Sequence, residues 1–376
     1  MNSKNVLITF SIVCCSCFAM GQQTITGTLM YDGTVRNYRL YIPSGYSSAG
    51  SFPLVFNLHG YTSNAEQQEF YSEMNVVAEA NNFLVCYPNG IGNAWNVNWN
   101  FGSTADDVGF ISALIDALAD DYAINLSRVY SCGMSNGGFM SYRLACELND
   151  RIAAIASVTG SMVPGYVCTP GKPVPVLEIH GTADLTVPYN GLAGLCINID
   201  DVVAFWANNN NCEANPDTIA IENSSTLDLC TATRYDFNEC ENSKVSLIKI
   251  NGGAQTWPGA SFILGTTNQD ISASEEIWAF FNQFELGGFA TPARERNIEN
   301  ELVIYPNPAG DFIQLNAGDS FSGGYFEITN NFSQRIIQGK LTEAAQSLQV
   351  GHLQPGIYYL TVRKNGLHTG SIFIKN

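Results

Sequence analysis

Histidine is scarce in this chain. It has four among 376 residues, His59, His180, His352 and His368, so a site that needs imidazole has few candidates. Charge is scarce too, at 14% of residues, and one-sided: 17 Lys and Arg stand against 34 Asp and Glu, a net charge of −17. The basic residues are scattered and form no phosphate-binding run, which excludes nucleic acid and anionic membrane surfaces as partners. There is no C-x-x-C pair, so zinc-ribbon and thioredoxin-type chemistry are not expected. No cofactor or metal is expected. Past the N-terminal segment, no run is long and apolar enough for a transmembrane helix.

What is present suits a well-cored exported protein, with 45% hydrophobic residues. The length predicts one large and one small domain. Lys4 precedes an apolar stretch from Val6 to Phe18, and Ala19-Met20-Gly21 closes it, as in a secretory signal peptide over residues 1–21. Cleavage after Gly21 would leave Gln22 first. Cys14, Cys15 and Cys17 raise a lipoprotein alternative, although the residues before each match a lipobox poorly. Three of the 11 cysteines lie in this segment, and an even number, eight, remains. In an exported chain that reads as disulfides. Cys86 and Cys132 sit inside apolar strand-like runs, as buried thiols would. Cys146, Cys168, Cys196, Cys212, Cys230 and Cys240 lie in loops or at helix ends and are the candidates for bridges.

The most informative motif is Gly133-Met134-Ser135-Asn136-Gly137. It fits G-x-S-x-G, follows an apolar strand-like run (Arg128 to Cys132) and opens a helix-like run (Phe139 to Leu148). That context identifies a nucleophile elbow, with Ser135 as the nucleophile. Larger side chains at the two glycines would clash in so sharp a strand-to-helix turn. A serine triad then needs a histidine as general base, and none of the four sits where it should.

Alternating elements predict an α/β fold with a mainly parallel sheet covered on both faces. Asp32-Gly33 reads as a hairpin turn between Thr24 to Met30 and Tyr38 to Ile42. Strands are expected at Leu54 to Leu58, Phe83 to Tyr87, Arg128 to Cys132, Ala153 to Val158 and Val174 to Ile179, with one helix over Ala65 to Ala80 and a helix between each later pair. Asp106 and Asp107 open a helix, where two acids favour its dipole; a metal role is the weaker reading. Ser272 and Glu275 form a capping box for a helix to about Phe284. This domain is placed at residues 22–286 and a linker at 287–301. Residues 302–376 change to short alternating strands, the pattern of a small all-β sandwich.

Residues from about 24 to 285 resemble the extracellular polyhydroxybutyrate depolymerase and feruloyl esterase family of α/β-hydrolases. The matching blocks are His59-Gly60-Tyr61-Thr62-Ser63-Asn64, Gly133 to Gly138, His180-Gly181-Thr182-Ala183-Asp184 with Val187-Pro188-Tyr189, and Gly252-Gly253-Ala254-Gln255-Thr256-Trp257-Pro258-Gly259. The resemblance implies Asp184 as the triad acid. It implies an oxyanion hole from the His-Gly loop, with Tyr61 as the loop donor, and from the Asn136 N–H. It makes His180 and His59 structural; His180, the only histidine between Ser135 and the C-terminal region, is the weaker candidate for a base. The family's base falls where this chain has Gln255, and an amide has no titratable nitrogen. The resemblance also implies the disulfides Cys146–Cys168 and Cys212–Cys240; a third, Cys196–Cys230, rests only on parity and loop location. Residues 302–376 resemble the type IX secretion sorting domain of Bacteroidetes-type bacteria, through Tyr305-Pro306-Asn307-Pro308, Pro355-Gly356-Ile357-Tyr358 and Ile372-Phe373-Ile374-Lys375.

Two classes of function follow. One is a secreted or cell-surface carboxylic ester hydrolase, impaired by Gln255, acting on a polyester or an ester-substituted polysaccharide and exported with the type IX secretion machinery. The other is an inactive relative that serves as an extracellular binding protein. A peptidase is a weaker reading, since this fold hosts both chemistries. Trp95, Trp99 and Trp257 lie near motif loops, and Trp257 is the candidate to line a substrate cleft; packing is its alternative.

Overall fold

The computed structural model describes residues 23–290, 302–318, 321–330, 334–343, 345–364 and 367–376. The expected signal peptide lies outside the described residues, as does 291–301 of the expected linker. The chain divides into two units, with the boundary between Thr291 and Pro292.

The first unit is built on a ten-stranded sheet. In chain order its strands are β1 (Gln23–Tyr31), β2 (Thr34–Ile42), β3 (Phe52–Leu58), β4 (Leu84–Pro88), β5 (Ile124–Met134), β6 (Ala154–Val158), β7 (Val176–Gly181), β8 (Asp217–Ala220), β9 (Thr231–Phe237) and β10 (Val245–Asn251). They lie side by side as β1-β2-β4-β3-β5-β6-β7-β10-β9-β8. The six central strands, β4 to β10 in that order, are parallel, and antiparallel pairs close both edges. Parallel strands need covered crossovers, so helices pack on both faces. The helices are α1 (Ala65–Ser72), α2 (Met74–Asn81), α3 (Asp107–Asp121), α4 (Asn136–Glu147), α5 (Ile199–Asn209) and α6 (Ala273–Phe281).

Alternation along each strand feeds two cores. In β3, Leu54, Phe56 and Leu58 join one core with α3, α4 and α5, while Val55 joins the other with α2 and α6. The hairpin turn falls at Asp32 and Gly33, both at positive φ (45° and 70°), as such a turn demands. Ser272 caps α6, its hydroxyl accepting from the Glu275 N–H at 3.4 Å.

Three features differ from the expectations. The helix over Ala65 to Ala80 is two, because Glu73 adopts a left-handed conformation (φ 51°) that ends α1 and starts α2. No helix joins β6 to β7; the segment between them is irregular and is tied to α4 by the Cys146–Cys168 disulfide. Asp106 caps α3, accepting from the Gly109 N–H at 3.0 Å. Asp107 is instead buried in an ion pair with Arg36 at 2.6 Å, and the guanidinium also lies 3.7 Å over the Phe110 ring.

The disulfides Cys146–Cys168 and Cys212–Cys240 are present, with Cα separations of 5.3 and 3.8 Å. The expected Cys196–Cys230 bridge is not formed, and both cysteines are free and buried. The reason is the sheet itself: Cys196 belongs to the core on one face and Cys230 to the core on the other. Even parity cannot detect that partition.

Past β10 and α6, Phe284–Glu285 pairs with Gly288–Phe289, and the Leu286 N–H donates to the Ser127 carbonyl. The second unit holds two antiparallel sheets. One has Val303–Tyr305, Phe312–Asn316 and Ala345–Gln349; the other has Arg335–Lys340, Tyr325–Asn330, Gly356–Lys364 and Leu367–Lys375. They share a core of their own around Ile313, Leu315, Phe326, Leu360 and Phe373.

Candidate active site

β5 carries the chain to Ser135, and α4 begins one residue later. Ser135 sits at φ 54° and ψ −121°, a strained conformation for a residue with a side chain. The surroundings hold it there. A Cβ on Gly133 would lie 2.5 Å from the Gly137 carbonyl carbon, and one on Gly137 would lie 2.1 Å from the Leu58 carbonyl oxygen. Both glycines are therefore obligatory for this close approach of β3, β5 and α4. The Ser135 N–H donates to the Val158 carbonyl at 2.9 Å, and its own carbonyl accepts from the Phe139 N–H at 3.0 Å.

The His59 loop lies beside the elbow. His59 is buried; its Nδ1 pairs with the Gly60 carbonyl at 2.8 Å, and its Nε2 accepts from the Gly90 N–H at 3.0 Å. That pattern fixes the neutral ring with the proton on Nδ1. Burial pushes its pKa down to about 4, against a smaller upward pull from the Gly60 carbonyl. The Trp95 indole N–H donates to the His59 carbonyl at 2.9 Å, and the buried Asn136 amide accepts from the Trp95 N–H at 2.7 Å. His59 and Asn136 thus tie the loop bearing Tyr61 to the elbow. Among the described residues, the backbone N–H groups of Tyr61 and Asn136 have no protein acceptor.

Asp184 follows β7. Its Oδ1 accepts from the Thr186 and Val187 N–H groups, each at 2.8 Å. Its Oδ2 is buried and has no hydrogen-bond partner among the described residues. Burial pushes the Asp184 pKa up, against the two backbone donors and the nearby His180. The loop is pinned to the turn that carries Gln255: the Ala183 N–H donates to the Gly253 carbonyl at 2.9 Å, and the Thr182 hydroxyl accepts from the Gly252 N–H at 2.9 Å.

His180 is fully buried below this loop. Its Nε2–H donates to the Val187 carbonyl at 2.9 Å, its Nδ1 pairs with Glu178 Oε1 at 2.8 Å, and Asp184 Oδ2 lies 3.5 Å from Nε2. Burial pulls its pKa down, but Glu178, the Val187 carbonyl and Asp184 outweigh that, and the net shift is upward. Glu178 Oε2 accepts from the Tyr142 hydroxyl at 2.8 Å. A chain of hydrogen bonds therefore runs from α4 through Glu178 and His180 to the Asp184 loop. Sequence reasoning missed Glu178 and Tyr142. The signal was a glutamate inside an otherwise apolar strand, since a fully buried carboxylate needs partners.

Ser135, Gln255, Tyr61 and Thr186 line one cavity of about 650 Å³, whose apolar wall is Phe70, Tyr71, Met134, Phe262 and Leu264. His180 does not line it. Neither the Ser135 hydroxyl nor the Gln255 amide has a hydrogen-bond partner among the described residues. Trp257 does not line the cavity either. It is buried, with its indole N–H on Ser274 Oγ at 3.2 Å and its backbone N–H on the Tyr71 hydroxyl at 3.1 Å. An indole two residues past Gln255 points into the core below the turn, so packing, not cleft duty, accounts for it.

A strained serine at a strand-to-helix elbow, an acidic loop after a later parallel strand and a shared cavity define an α/β-hydrolase. Residues 36–168 match the family model "Esterase PHB depolymerase", and residues 303–376 match "Secretion system C-terminal sorting domain". The "Probable feruloyl esterase C" of Aspergillus flavus is 30% identical over 253 residues, covering 65% of this chain and 83% of that protein. The "Bifunctional acetylxylan esterase/xylanase XynS20E" of Neocallimastix patriciarum is 27% identical over 267 residues, which is 71% of this chain but 36% of that one. The solved acetyl xylan esterase from Aspergillus awamori superposes with a TM-score of 0.51 at 17% identity, over 69% of this chain and 98% of that one, a likeness of fold. The chain belongs to the polyhydroxybutyrate depolymerase and feruloyl esterase family of carboxylic ester hydrolases, and carries a type IX sorting tail that makes it a secreted or cell-surface protein.

Proposed function

We propose that the protein is an ester hydrolase of low turnover, with Ser135 as nucleophile, Asp184 as the acid and Gln255 in the place of the base. The observation that carries this reading is the buried Oδ2 of Asp184, which accepts no hydrogen bond among the described residues and has only the His180 ring at 3.5 Å, on a loop hydrogen-bonded to the turn of Gln255. An imidazole N–H is the donor such an oxygen lacks. Ser135 attacks the ester carbonyl, the Tyr61 and Asn136 N–H groups receive the oxyanion, and the alcohol leaves an acyl-enzyme for water to release. Gln255 cannot accept the Ser135 proton, so that proton passes to solvent and the rate falls. In a serine protease, loss of the base costs on the order of 10⁶ in turnover, while about 10³–10⁴ over water survives from the oxyanion hole and binding.

The substrate class is an ester-substituted polysaccharide, with a polyester as the alternative. The names of the fungal relatives support the first, and the matched family description supports the second. Gln255 itself favours a second reading, a binding protein that keeps the pocket without turnover. Hydrolysis of a chromogenic aryl ester by the purified protein tests the proposal. Slow release that disappears in Ser135→Ala is expected; release that survives Ser135→Ala would sink it.

A further inference from the structure

The cavity shared by Ser135 and Gln255 is lined by no carboxylate, imidazole or amine. Its titratable lining is Tyr61 and Tyr71 alone. Burial pushes the Tyr71 pKa up, against the Trp257 N–H that its oxygen accepts, which keeps it a neutral phenol. Gln67 and Gln68 add only amides, and Gln68 is committed to the Asn57 side chain at 2.8 Å. No described group lining this cavity can therefore take a proton at neutral pH.

The two halves of ester hydrolysis feel this lack unequally. Acylation needs one transfer, loss of the Ser135 proton, because a leaving group that is stable as an anion departs without a proton, as an aryl oxide or thiolate does. Binding and the oxyanion donors then supply the remaining help. In deacylation the attacking water must lose a proton, and the departing Ser135 alkoxide must gain one. Both transfers normally pass through the one base that is missing.

We infer that this protein takes an acyl group from an activated ester and holds it as a long-lived acyl-serine at Ser135. The inference rests on the reading of Ser135 as nucleophile. The Ser135 Oγ–acyl bond forms, the carbonyl bond to the aryl oxide or thiolate breaks, and the Ser135 proton goes to solvent; nothing is oxidised or reduced. The acyl group is uncharged and apolar or aromatic, because the wall around Ser135 is Phe70, Met134, Phe262 and Leu264 with no cation to pair a charged one.

The test is intact mass spectrometry of the full chain after incubation with 4-nitrophenyl butyrate, with nitrophenolate release followed in parallel. The expected result is a burst of one equivalent, a mass gain of one butyryl group mapped to Ser135, and an adduct that outlasts removal of the ester. Its hydrolysis should be about 10²–10⁴-fold slower than in Gln255→His, the usual worth of a general base. Ser135→Ala should gain no adduct. Steady wild-type release without an adduct overturns the inference. So does the absence of both when Gln255→His hydrolyses the ester through Ser135, although the nucleophile then stands. Failure of Gln255→His as well removes the nucleophile reading itself.

Discussion

At the elbow, a methyl group on Gly133 or Gly137 would meet backbone atoms at 2.5 or 2.1 Å; at the turn over 252–259, the Gln255 side chain faces an open cavity and touches no hydrogen-bond partner. Both turns have well-anchored backbones. In the second, Gly252 sits at φ 82°, the Ala254 N–H donates to the Thr266 carbonyl at 2.9 Å, and the Gly259 N–H to the Asn268 carbonyl at 2.8 Å. The difference is in what the side chains do for the fold. The elbow glycines are structural, so the nucleophile's position cannot drift without unfolding the strand crossing. The side chain at 255 holds nothing, so its identity can change while the turn stays put. A triad position can therefore lose its chemistry and leave the scaffold intact.

The sharpest way to break this comparison is to restore the base. Gln255→His should raise hydrolysis of a chromogenic ester by at least about 10²-fold, with about 10⁶ as the ceiling. Adding Asp184→Asn should then remove most of the gain, up to about 10⁴, since the acid fixes the tautomer and steadies the imidazolium. A flat rate in Gln255→His would mean that the two turns no longer share triad geometry.

Next in size is a stability contrast between the same two turns. Gly137→Ala forces a methyl into the Leu58 carbonyl and should cost about 3 kcal/mol, the upper range of overpacking. Gln255→Ala should stay within about 0.5 kcal/mol, as substitutions without partners do. Denaturant unfolding of the two variants decides it, and equal losses would refute the division of labour.

Much of this was legible in the sequence, for a physical reason in each case. The elbow is a local feature, read from glycine spacing between a strand and a helix. The order of β3 to β7 follows from apolar runs set by turns, and the capping residues Ser272 and Asp106 act within one turn of helix. What escaped was non-local. Arg36 and Asp107 are 71 residues apart and pair only once β2 and α3 are packed. Tyr142 and Glu178 meet across 36 residues. Which face of the sheet a loop cysteine reaches is also a property of the assembled fold, hence the false pairing of Cys196 with Cys230. Nothing in the sequence could reveal that Trp257 turns inward, because its spacing from Gln255 suits a lining residue equally well.

A smaller effect follows from the burial of Asp184, whose Oδ2 accepts no hydrogen bond among the described residues. Burial raises its pKa above the ordinary carboxylate value. The folded state then holds the proton more tightly than the unfolded state, so stability declines as pH rises from the ordinary value through the raised one. Asp184→Asn removes that dependence, and its stability relative to the parent should increase as the pH rises above about 4. In the Gln255→His background the imidazole N–H supplies the missing donor and lowers the Asp184 pKa. The same pH trend should then shrink or reverse. Thermal melts across pH read both cases, and identical trends would separate Asp184 from position 255.

The smallest expected effect concerns where the comparison ends. Both turns, the cavity and the hydrogen-bonded chain through His180 belong to the first unit, whose two cores contain no residue beyond Leu286. The second unit has its own core from Leu302 to Phe373. Burial drives stability roughly in proportion to the apolar area removed from water, and each unit has a hydrophobic core of its own. Deleting residues 302–376 should therefore leave the melting of the first unit unchanged, along with any rate restored by Gln255→His. Export should be lost, because the deleted unit matches a secretion sorting domain. A lowered melting temperature in the truncated protein would show that the second unit supports the turns, and the stability contrast between Gly137→Ala and Gln255→Ala would have to be remeasured without it.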